Sequence, residues 1–81
     1  MVRDDFEACL QAYLFAALLL GGLPDKTGQE RKEALDAAQH LRDEVEPRYE
    51  AAISDERRSA AEVDALKTAR ARLDESLRRH Q

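Results

Sequence analysis

Residues 4–22 read DDFEACLQAYLFAALLLGG, and they decide the fold. An acidic opening leads into the apolar run Ala8–Leu20, broken only by Gln11, and Gly21-Gly22 with Pro24 closes it. Asp4 stands where a side chain can cap a helix, with Glu7 at capping-box spacing. Asp4, Asp5 and Glu7 also suit the positive end of a helix dipole. The glycines and proline are stop signals. The stretch therefore predicts a helix from about Asp5 to Leu20.

At 100° per residue, Phe6, Leu10, Tyr13, Leu14, Ala17 and Leu20 share one face. Phe15 and Leu19 fall nearly opposite, with Leu18 between. A helix apolar on every side needs covering on every side. Of the Val, Ile, Leu, Phe and Tyr residues, ten lie in residues 1–23 and nine in residues 24–81. The later helices have too little apolar surface to cover both faces of the first. A second chain is the natural cover, with Phe15, Leu18, Leu19, Tyr13 and Leu23 as the expected partner-binding residues.

After Leu23–Lys26, a turn, Thr27 and Glu30 repeat the capping-box spacing and predict a second helix over 28–46. Ala34, Ala38, Leu41 and Val45 form one narrow stripe on it, as in a coiled-coil seam. Pro47 removes a backbone donor and restricts Glu46, so a break there, with Pro47 opening a third helix, is expected. Tyr49, Ile53, Glu56, Ala60, Val63, Leu66, Arg70, Leu73 and Leu77 continue in steps of three and four. Two readings fit: one long helix over 47–79, or a turn at 54–59 where Ser59 and Glu62 have capping-box spacing. Either way the fold class is all-α. The expected fold is a small helical bundle of one domain, with a hairpin or long coiled-coil-like helix beside the apolar N-terminal one.

Composition agrees. Of the 81 residues, 37% are charged and 5% aromatic. Such a short chain has a modest core and leans on tight helix packing or oligomerisation. Cys9 is the only cysteine, so no disulfide forms within one chain; its lone thiol fits a reducing, cytoplasmic compartment. The acidic residues ahead of the apolar run do not suit a secretory signal, and thirteen residues fall short of the roughly 20 of a spanning helix. Residues 1–66 carry 8 basic and 15 acidic side chains; residues 67–81 carry 5 and 2. The basic end matches a helix C-terminus. Without interleaved aromatics or a DNA-binding motif it does not point to nucleic acid.

No catalytic, cofactor or metal constellation emerges. Asp36, His40 and Glu44 share a helix face at ion-pair spacing, short of the four nitrogen or sulfur ligands of a structural zinc site. Cys9 lies in apolar sequence with nothing to lower its pKa. Gly21, Gly22 and Gly28 lack phosphate-loop spacing. The expectation is a non-enzymatic protein–protein interaction module without a small-molecule substrate. It would be an adaptor, co-chaperone or assembly subunit, binding a protein partner or itself. In size and architecture it resembles the small helical co-chaperones of bacterial secretion systems. The alternative is a regulator or inhibitor of a nucleic-acid-processing complex, acting through its charged surfaces; a membrane-surface role is disfavoured by the acids near the first helix.

Overall fold

The computed structural model describes residues 4–80 and contains, among them, four α-helices, one short 3₁₀ turn and no strand. The helices are α1 (Asp5–Gly21), α2 (Gly28–Glu44), α3 (Glu46–Ile53) and α4 (Ala60–His80), with the 3₁₀ turn at Leu23–Asp25. The protein is a small all-α helical bundle.

Its arms follow from local chemistry. Asp4 caps α1, accepting a 2.8 Å hydrogen bond from the Glu7 backbone N–H. Two glycines and Pro24 end α1 and turn the chain back, so α2 runs antiparallel to it. Pro47 sits in the first turn of α3, where its missing N–H costs nothing. The α2–α3 arm is therefore kinked rather than severed. At Ser54–Ser59 the chain reverses into α4, which lies alongside α1 in the same direction: Arg58 reaches Asp4 at the top (2.6 Å), and Ala69 through His80 line a groove with Tyr13 through Gly21 below.

The long helix over 47–79 thus does not form, and the turn at 54–59 does. No glycine marks that turn. Ser59 and Glu62 make the reciprocal capping box, each side chain accepting from the other's backbone N–H at 3.1 Å. Asp55 accepts from the backbone N–H of Arg57, and Arg58 gathers Asp4, Asp55 and Glu62 while stacking 4.5 Å from the centre of the Phe6 ring. Two of these contacts, from Arg58 to Asp4 and to the Phe6 ring, are tertiary, which is why local propensity alone left the turn undecided.

The capping box at the start of α2 is a correction. Thr27 occupies the N-cap, but its side chain makes no capping hydrogen bond, and Gly28 beside it has φ +54°. That left-handed angle favours glycine and turns the chain away from the ordinary box geometry. Ser59→Ala is therefore expected to cost about 1 kcal/mol, and Thr27→Ala only a few tenths. Paired thermal melts check this; equal losses would contradict it.

Acid acts on the α1 and α4 starts together. Hydrogen bonds from Arg57 hold the Asp55 carboxyl down at about 2, and the Glu7 N–H, with Arg58, lowers that of Asp4. Carboxyls depressed in the folded state add stability that is full above their unfolded value and is lost as pH falls through the folded one. The melting temperature should hold from pH 7 to about pH 5, then fall between about pH 4 and pH 2. Asp55→Asn should flatten part of that fall, which a pH series of melts would measure.

The core is the meeting line of the arms. Phe6, Cys9, Ala12, Tyr13, Ala16 and Leu20 of α1 are buried, with Leu23 of the turn, Ala34 and Ala38 of α2, Val45, Tyr49 and Ala52, and Leu66, Leu73 and Leu77 of α4. α1 packs most extensively on α2. Cys9, Ala12 and Ala16 of α1 and Ala34 and Ala38 of α2 are all buried, and the Cys9 sulfur lies 3.7 Å from the Val45 carbonyl oxygen; small side chains let two helices approach closely and pack densely. The inward face of α1 thus mixes small residues (Cys9, Ala12, Ala16) with bulky ones (Phe6, Tyr13, Leu20). Leu14, which shares a wheel face with the buried Phe6, Tyr13 and Leu20, is instead 54% exposed. Leu10 and Leu19, assigned to opposite faces, are both half-buried against the core.

Where α4 meets α2 and α3, polar contacts join the apolar ones. Arg42 grips Asp74 through two nitrogens, at 2.9 and 3.4 Å. Arg70 interrupts the apolar stripe of α4 but pairs with Glu46 and lies 4.1 Å from the centre of the Tyr49 ring. A bidentate pair and a stacked guanidinium add to the apolar packing there.

Candidate association surface

α1 is surrounded on its α2, α3 and α4 sides and open on the fourth. On that open side stand Leu14 (54% exposed), Phe15 (60%) and Leu18 (73%), the three large exposed hydrophobic side chains among the described residues. Gln11 shares their ridge. The cause lies in the helix register. Once Cys9, Ala12 and Ala16 turn towards α2, positions 11, 14, 15 and 18 must point outwards. Neither α2 nor α4 covers them.

Shallow grooves flank the ridge. On the α4 side, Tyr13, Leu14, Ala17, Leu20, Gly21, Ala69, Leu73 and Ser76 line about 380 Å³, with Arg72 and His80 at the rim. On the other side, Ala8, Ala12, Phe15, Leu41 and Val45 line about 340 Å³, with Glu44 and Arg48 at the rim. A ridge between grooves is the surface that helix-on-helix packing uses.

Of the five residues expected to bind a partner, Phe15 and Leu18 are exposed on the ridge and Leu19 is half-buried beside it. Tyr13 and Leu23 are corrected: they are 1% and 0% exposed and belong to the core. Tyr13 turns in because α4 closes over that side of α1, and Leu23 because the 3₁₀ turn folds it back under the helix. Leu14 was missed as a surface residue; the clustering of Cys9, Ala12 and Ala16 on one arc was the signal that could have placed it.

The interior is chemically quiet. Burial pushes the Cys9 thiol up, and its sulfur lies 3.7 Å from the Val45 carbonyl oxygen, to which it donates weakly. A buried thiol held protonated is a poor nucleophile. Burial also raises the Tyr13 phenol far above its ordinary value, and its hydroxyl finds no well-formed hydrogen bond, the Cys9 thiol beside it being only a weak acceptor. Tyr13→Phe removes that unsatisfied group without changing the ring. It should leave stability unchanged or raise it by about 1 kcal/mol; a loss on denaturant titration would contradict this.

Among the described residues, no three of His, Cys, Asp and Glu converge on a metal-sized site. Asp36 pairs with Lys32 at 3.2 Å and His40 lies 3.6 Å from Glu44, all exposed along α2. Of the basic end, Arg70 is tied to Glu46 and Arg79 to Glu75. By length and composition alone, Asp5–Asp25 is long and apolar enough to cross a membrane, although the thirteen-residue run Ala8–Leu20 within it is too short on its own. In the folded chain it supplies seven buried residues to the core.

The chain matches no family model, no curated protein and no solved structure.

Proposed function

We propose that this chain is a non-enzymatic association module that binds protein through the open side of α1, as an adaptor, co-chaperone or assembly subunit does. One observation carries the reading: Leu14, Phe15 and Leu18 form a contiguous exposed ridge on a helix otherwise packed into its own bundle. Leaving such side chains in water forgoes about 1.5–3 kcal/mol each, a sum that docking recovers. The grooves beside the ridge suit a helix laid along α1, its own side chains entering on either flank. Charged residues at both rims would set register and exclude wrong partners. The buried, free thiol of Cys9 suits a reducing, cytoplasmic compartment.

The test compares wild type with Phe15→Ser/Leu18→Ser. Wild type should associate, with itself or with a protein from its source, and the variant should not, at equal helicity. If the two behave alike in mass and in what they retain, the ridge is not an association surface.

A further inference from the structure

Two features on either side of the ridge bear on what covers it. The first is shape. The α1–α4 groove has a floor of small residues, Ala17, Gly21 and Ala69, and a Cβ added at Gly21 meets nothing within 4 Å. A ridge and an adjoining groove on one molecule are complementary to each other across a two-fold axis. If that axis runs parallel to α1, above the edge between ridge and groove, each copy's Leu14–Leu18 row enters the other's groove.

The second is charge. The α4 flank carries Arg72 at the groove rim, and Arg79 lies seven residues on, two turns along the same face. The α2 side carries Glu44 and Arg48 at the opposite rim, with Arg48 bridged to Asp5 at 2.7 Å, and exposed Glu33 lies eleven residues back from Glu44 on that face of α2. Glu44 and Arg79 engage only a neighbour on their own helix, His40 and Glu75. A two-fold parallel to α1 lays each copy's basic flank over the other's acidic one. A two-fold perpendicular to α1 instead lays basic on basic and acidic on acidic.

Resting on the reading of the open face as an association surface, we propose that its occupant is a second copy of this chain, with the two α1 helices parallel. The pairing is isologous, so each contact occurs twice. Like neighbours like along the helix: position 11 of one copy lies near position 11 of the other, and position 21 near position 21.

Crosslinking with a short bis-maleimide tests it on the full chain. Gln11→Cys and Gly21→Cys are made singly; Cys9 is fully buried and serves as the unreactive background in wild type. Each variant alone should form a covalent dimer. Crosslinks only in a mixture of the two variants would mean an antiparallel pair and overturn the proposal. Arg72→Glu should weaken dimerisation on the order of tenfold, and adding Glu33→Arg and Glu44→Arg should restore it; equal loss in both would overturn the charge argument. A wild type that stays monomeric from micromolar to millimolar concentration overturns self-pairing. If it then binds a different protein in a ridge-dependent way, the association reading survives. Flotation with lipid vesicles that depends on Leu18 would reassign the ridge to a membrane surface and overturn both.

Discussion

Leu66→Ala should remove a large share of the chain's stability and lower its melting temperature sharply. Leu66 has no exposed surface and lies on the inward face of α4. Removing a buried leucine costs the lost transfer energy plus that of the cavity left behind, about 2–5 kcal/mol in all. An 81-residue domain has about 4–12 kcal/mol to lose, at roughly 0.05–0.15 kcal/mol per residue. The site cannot readily collapse, because α4 is held at its start by Arg58 and along its length by Arg42 and Arg70. Leu14→Ala is the control: the same chemical change at a half-exposed position should cost under about 1 kcal/mol, since little transfer energy and no cavity are involved. Urea titrations of the two variants settle the comparison; equal losses would place Leu14 in the core after all.

Phe15→Ser with Leu18→Ser should do the reverse, leaving the fold intact and removing association. Both side chains are more than half exposed, so their truncation opens no cavity. Circular dichroism should show unchanged helicity. Apolar anchors at the centre of an interface dominate its energy, commonly 2 kcal/mol or more each, so losing two should weaken binding by about a thousandfold or more. The variant should also be more soluble than wild type, because an exposed apolar ridge promotes aggregation when nothing covers it. Unfolding of this variant in circular dichroism would show that the ridge supports the bundle itself.

How much of this was readable in the chain depends on the kind of signal. The all-α class, the ends of α1, the alanine stripe of α2 and the break at Pro47 follow from caps, stops and periodicity. Those signals are local, and the structure has them where the residues place them. The face of α1 was less legible. A wheel weighted by bulk points the leucines inwards, whereas the folded bundle buries Cys9, Ala12 and Ala16 on α1 and leaves Leu14 and Leu18 exposed. That choice exposes Leu14 and buries Tyr13, and it is made by two helices together. The turn at 54–59 is likewise fixed by the reach of Arg58 to Asp4 across 54 residues of sequence. Thr27 shows the opposite failure: the capping spacing is present, but the backbone angle of Gly28 leaves its side chain unused.

The central claim is that the fourth side of α1 is the surface that meets another protein. A photoreactive amino acid at position 18, compared with the same group at Glu56 on the exposed turn, tests it most directly in the cell of origin. A discrete covalent adduct of one size from position 18, and none from position 56, is the expected result. No adduct from position 18, or the same spread of adducts from both positions, would contradict it.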